Sequence, residues 1–96
     1  MNPYSLRKLP LDILMETAQQ HRFLRKQVGW TQAELALRSG VSLGSLKRFE
    51  QTGKIAFESL LKLAHVLNRL QEFEQLFPPN EDLSKIERLF SDKTRE

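Results

Sequence analysis

Apolar residues recur along this chain at the three- and four-residue spacing of helices, and no sustained two-residue alternation of β-branched side chains marks a strand. An all-α architecture is predicted. Residues 1–10 contain Pro3 and Pro10 and read as an irregular N-terminal arm. A first helix is expected from about Leu11 to Val28, with Leu11, Leu14, Met15 and Ala18 on one buried stripe. Gly29 ends it, because glycine adopts the left-handed conformation required just past a helix terminus. Thr31-Gln32-Ala33-Glu34 has the form of a capping box, in which residues 31 and 34 satisfy each other's backbone donors. The second helix runs from there to Ser39 and stops at Gly40. Ser42 caps a third helix that carries Leu46 and Phe49 inward, and Thr52-Gly53-Lys54 breaks the chain again.

Beyond that break, Phe57, Leu60, Leu61, Ala64 and Leu67 form the clearest amphipathic stripe in the sequence. A short fifth helix with Leu70, Phe73 and Leu76 should follow and end at Pro78-Pro79, which cannot donate amides and restrict their predecessors. Asn80-Glu81-Asp82 opens an extra C-terminal helix bearing Leu83, Ile86, Leu89 and Phe90, with residues 91–96 fraying. The organisation read from this pattern is an arm (1–10), a compact five-helix domain (11–77) and a C-terminal helix and tail (80–96).

Composition narrows the function. The 96 residues suffice for one small domain, and 40% hydrophobic with 28% charged residues is an ordinary globular balance. The absence of cysteine excludes disulfides and thiolate metal sites. No apolar run approaches the ~20 residues of a membrane span, and the N-terminal residues lack the apolar segment of a secretory signal. A soluble, cytoplasmic protein is expected. The net charge of +3 is modest, but its distribution is uneven. Residues 21–62 hold eight Lys/Arg against three Asp/Glu, whereas residues 63–96 hold five against seven. Excess positive charge therefore lies on the middle of the chain, either as a footprint for phosphates or as a solvated basic face.

That middle segment meets the demands of a helix-turn-helix. Two helices crossing steeply need a tight connection and a small residue where they touch. Ala36 supplies the small residue, Gly40 the turn, Val41 an apolar plug beneath it, and Leu46 the anchor of the next helix. On Thr31-Gln32-Ala33-Glu34-Leu35-Ala36, Gly40-Val41-Ser42, Glu50 and Leu60-Leu61-Lys62-Leu63-Ala64, the chain resembles the Cro/C1-type (XRE-like) helix-turn-helix regulators, whose fold is the lambda repressor-like DNA-binding domain. Within that family Ser42–Gly53 is most similar to the short HipB-like antitoxins, which are encoded beside HipA-like kinase toxins.

The resemblance implies that the third helix enters the major groove of double-stranded DNA. Ser42, Leu43, Gly44, Ser45 and Arg48 are then the candidates for base contact. Arg48 heads them, because its fork engages guanine O6 and N7 together. Gln32, Lys47 and Lys54 are candidates for phosphates, which set register without reading sequence. At Gly44 two readings stand level: a missing side chain that lets the backbone approach the bases, or a first-turn position where glycine costs little. Arg25 and Glu50 match family positions that form a partly buried ion pair. His21 stands where the family usually has an aliphatic residue, and Trp30 where it usually has leucine. No metal site is expected from His21 and His65, which lie far apart. No cofactor loop, nucleophile elbow or triad is found, so no enzymatic activity is expected.

Proteins of this family usually bind palindromic operators as symmetric homodimers, with recognition helices about 34 Å apart. The stripe Leu83, Ile86, Leu89 and Phe90 either makes such a dimer or partner contact or folds back on its own domain. Three functions remain open. They are an antitoxin that represses its own operon and binds a HipA-like kinase, a stand-alone bacterial repressor, and a protein-interaction module that has lost DNA binding.

Overall fold

The structure, a computed structural model, describes residues 7–79. Four α-helices and a short 3-10 helix follow in order: α1 (Pro10–Val28), α2 (Gln32–Ser39), α3 (Leu43–Thr52), α4 (Phe57–Val66) and the 3-10 helix Leu70–Phe73. No described residue is in a strand. No helix among these residues is long and apolar enough to cross a membrane. The expected C-terminal helix with Leu83, Ile86, Leu89 and Phe90, and Tyr4 and Leu6 of the arm, lie outside the described residues.

Pro10 opens α1 rather than ending the arm, since proline at the first helical position gives up an amide that would have no partner anyway. The Asp12 carboxylate accepts the amide of Leu9 just before it (2.8 Å). Thr31 caps α2 by accepting the Glu34 amide at 3.1 Å. The carboxylate of Glu34, expected to reach back to Thr31, instead meets Arg38 one turn later, 3.4 Å away. Ser42 caps α3 by accepting the Ser45 amide (3.1 Å).

The core is built around α3, which packs on α1 and α2, while α2 also packs on α4. Leu46 and Phe49 of α3 are fully buried with Leu35, Val41, Leu63 and Ala18 around them. Ala36 is half-buried against this cluster, as its small side chain allows at the crossing. Fully burying one such aliphatic or aromatic side chain is worth about 1.5–3 kcal/mol, so few positions carry much of the stability of a domain this size.

Two stripes differ from expectation. On α1, Leu11 and Leu14 are exposed and only Ala18 of the expected set is buried. The inward face continues from Ala18 through His21 and Arg25, helical neighbours that hydropathy alone passes over. On α4 the inward stripe begins one turn late. Leu60, Leu63, Ala64 and Leu67 face the core, while Phe57 turns to meet Phe73 edge-on with ring centroids 6.1 Å apart.

The fifth helix is not an α-helix, and its expected member Leu76 is exposed. Asn68, at φ +62°, takes the left-handed conformation that its short polar side chain tolerates. The Arg69 amide then reaches back to the Ala64 carbonyl (2.8 Å) and closes α4, and a single 3-10 turn follows it.

Of the four glycines, Gly53 alone is closely approached by another element. It ends α3 at φ +80°, and a Cβ there would lie 2.7 Å from both the carbonyl carbon and the carbonyl oxygen of Leu14 on α1. Gly40, also at φ +80°, faces open space. Gly40→Ala should therefore cost about 1–2 kcal/mol, the penalty for a left-handed non-glycine residue. Gly53→Ala should cost distinctly more, because α1 must move away from α3. Urea denaturation of the two variants measures the difference, and equal losses would contradict the close contact.

Candidate nucleic-acid interface

The outward face of α3 is set by what its inward face must do. With Leu46 and Phe49 buried, the helical period leaves Leu43, Gly44, Ser45, Lys47 and Arg48 exposed. Among the described residues no carboxylate lies within ion-pair distance of Lys47, Arg48 or Lys54. Ser42 and Ser45 are coupled. The Ser42 hydroxyl donates to Ser45 Oγ at 2.9 Å while accepting the Ser45 amide. One of the two hydroxyl hydrogens is thereby spent inside the protein, and the other is left to offer outward. At Gly44 a Cβ would meet nothing within 4 Å, so the protein itself imposes no glycine there.

Two hollows flank α3. One, of about 280 Å³, is lined by Ser45, Arg48 and Lys54 together with Ile55, Ala56 and Ser59 at the start of α4. The other, of about 350 Å³, lies between Arg22, Arg25, Thr31, Gln32, Glu50 and Gln51. Arg48 and Lys54 thus share one site. Lys47 lines neither. Arg22, which the sequence pattern did not single out, is exposed and lines the same hollow as Gln32. Its position one turn before Arg25 on α1 was the available signal.

Glu50 is the only acidic residue on α3, and it is held away from this face. Its side chain is 3% exposed. Arg25 donates to it twice, from Nε to Oε2 and from Nη2 to Oε1, both at 2.9 Å. The third arm of the guanidinium donates to the Trp30 carbonyl (2.8 Å). Gln32 Nε2 donates to Oε1, and His21 Nδ1 contacts Oε2, each at 2.9 Å. One carboxylate therefore joins α1, the start of α2 and α3. Gln32 is oriented by this bond and retains its second amide hydrogen for another acceptor.

His21 faces a carboxylate with Nδ1, which assigns its proton to that nitrogen and leaves Nε2 as a bare acceptor. Nε2 is buried without a partner, and the ring packs edge-on against Phe49 with centroids 5.0 Å apart. Burial pushes the His21 pKa below its ordinary 6.5, against the pull of the Glu50 charge and with the push of Arg25. Burial would raise Glu50, but the donors from Arg25 and Gln32 and the charge of Arg25 outweigh it and hold the carboxyl below its ordinary 4.5. Trp30 is half-buried against the core, and the Arg38 guanidinium sits 4.5 Å over its ring. No group of His, Asp and Glu among the described residues is arranged to hold a metal ion.

Removing one partner of so buried a pair strands the other charge. Glu50→Ala should cost about 3–5 kcal/mol, measured by chemical denaturation. The pH dependence follows from the two lowered pKa values. In each case the unfolded chain takes up a proton that the folded chain refuses, so stability falls as the pH drops. The loss begins below about pH 6.5, where unfolded His21 protonates, and deepens below about pH 4.5 as Glu50 joins. His21→Phe should flatten the first part of this profile and keep the second. An unchanged slope between pH 6.5 and 5 would contradict the assignment.

A family model described as helix-turn-helix matches residues 22–73, more than half of the chain. No curated protein and no solved structure matches it. The matched span takes in the C-terminal part of α1 from residue 22 onward, the crossed pair α2–α3, α4 and the 3-10 helix. The chain belongs to the Cro/C1-type helix-turn-helix family of DNA-binding transcriptional regulators.

Proposed function

We propose that the protein is a sequence-specific repressor that binds a palindromic operator as a homodimer. It regulates its own operon as the antitoxin of a HipBA-like toxin–antitoxin pair. The observation that carries DNA reading by α3 is its outward face, which is free of acid and flanked on one side by a hollow with Arg48 and Lys54 and on the other by one in which Arg22 and Gln32 stand with the neutralised Arg25–Glu50 pair. A helix lying in the major groove has a phosphate backbone on either side of it, and such hollows suit those two walls.

Leu43, Gly44, Ser45 and Arg48 read bases, and Ser42 contributes its remaining lone pair. Gln32, Lys47 and Lys54 hold phosphates, joined by Arg22. The shared hollow of Arg48 and Lys54 supports a second role for Arg48, as a clamp on the same phosphate. The antitoxin role rests on the similarity of Ser42–Gly53 to HipB-like proteins, and Leu83, Ile86, Leu89 and Phe90 supply the dimer or partner contact. A HipA-like kinase reading frame beside the gene, and co-purification of its product, test that part. Without either, the stand-alone repressor is the better reading.

Titration of the protein's own promoter DNA at several salt concentrations tests the DNA reading. Wild type should prefer it over random DNA with a steep salt slope. Arg48→Ala should lose about 1–3 kcal/mol of discrimination if it reads a base, and lose affinity equally on all sequences if it clamps phosphate. Lys54→Ala should weaken all sequences alike and reduce the salt slope by about 1. Gly44→Ala should leave the fold intact, since its Cβ meets nothing, so any lost affinity measures close approach of the backbone to DNA. Binding to the promoter no tighter than to random DNA would favour the interaction-module reading.

A further inference from the structure

On the side of α1 that faces α4 and the 3-10 helix lies a larger depression, of about 630 Å³. Its floor is Ala64 and Leu67, and Leu24, Leu60, Phe23 and Phe73 form the apolar part of its walls. Phe23 is 67% exposed, and the edge-on pair of Phe57 and Phe73 extends the apolar surface towards the start of α4. Its rim is uncharged overall. Glutamines from α1 stand on one side, and on the other Arg69 and Glu72 pair with each other. Such a surface has no attraction for a polyanion and suits an apolar segment of balanced charge.

One segment of this chain has that chemistry. Leu83, Ile86, Leu89 and Phe90 fall at helical spacing, and among residues 80–90 three acids stand against two bases. The way the chain leaves the domain decides whose groove it fills. Phe77 is 98% exposed and left-handed at φ +54°, a conformation that an aromatic residue adopts at a cost. Pro78 and Pro79 follow at once and stiffen the exit. A short, strained and stiff connection disfavours folding back on the same domain and favours exchange between copies.

We infer that the stripe Leu83–Phe90 of one protomer seats in the α1–α4 groove of a second copy, and that the exchange is reciprocal about a two-fold axis. This rests on the homodimer reading above and gives it a receptor surface. The two-fold arrangement is isologous: each copy offers one groove and one stripe, so the assembly closes at two.

Sedimentation of the full chain over a range of concentrations tests this, with two single variants. Phe23→Asp damages the groove on a surface side chain, and Leu89→Asp damages the stripe. Each alone should weaken dimerisation tenfold or more. Their equimolar mixture should dimerise better than either, because the mixed pair retains one intact groove facing one intact stripe. Circular dichroism checks the fold of Phe23→Asp, and Leu89→Asp decides alone if that variant unfolds. A wild-type dimer that both variants leave unchanged would overturn the groove while keeping the homodimer. A monomeric wild type would overturn both. If in that monomer Leu89→Asp shifted the amide resonances around Phe23, the stripe would lie on its own domain.

Discussion

Glu50 is where three helices are tied together. A carboxylate at 3% exposure is untenable alone, and here four donor contacts from Arg25, His21 and Gln32 converge on its two oxygens. The requirement is mutual, since Arg25 has equally little water and uses the rest of its fork on the Trp30 carbonyl. Satisfying all of these at once fixes the rotation of α1, the start of α2 and the axial position of α3. The pair contributes less to net stability than its hydrogen bonds suggest, because desolvation offsets much of their gain. What it supplies here is geometry, since an α3 rotated by even part of a turn would strand a buried charge.

The same constraint shapes the outward face of α3, the surface proposed to meet DNA. The only acidic residue of α3 is turned inward, so the outward arc keeps Lys47 and Arg48 with no carboxylate of the helix beside them. Gln32 is held at the first turn of α2 by the same carboxylate, which spares a long amide side chain the entropy of being ordered on contact with a ligand. Architecture and electrostatics of the helix-turn-helix are therefore coupled through one side chain.

Much of this was legible in the residues. The caps at Thr31 and Ser42, the turn at Gly40 and the inward pair Leu46 and Phe49 rest on local chemistry, which a sequence displays directly. Less legible was the inner face of α1. His21 and Arg25 occupy core positions because a partner from elsewhere in the chain neutralises them, and hydropathy carries no trace of that partner. The late start of the α4 stripe had a similar origin, since Phe57 found an aromatic neighbour in the 3-10 helix. In place of the fifth helix stands a 3-10 turn between left-handed Asn68 and left-handed Phe77, conformations that propensity alone does not signal. At the interface, the residue types were readable, but the sharing of one hollow by Arg48 and Lys54 depends on how α3 meets α4.

The contact between Gly53 and Leu14 divides mutational freedom unequally between its two partners. At position 53 it is the absent side chain that matters, so almost no replacement is admissible there. At position 14 the partner is the main-chain carbonyl together with Cβ, an atom that every residue but glycine carries, and Leu14 is otherwise an exposed position. A wide range of residues at 14 would preserve the approach provided that α1 stays helical. At this one contact, the approach of α3 to α1 is thus set by a single residue acting on a backbone. Substitution profiles would show strict intolerance on one side of a tight contact and broad tolerance on the other.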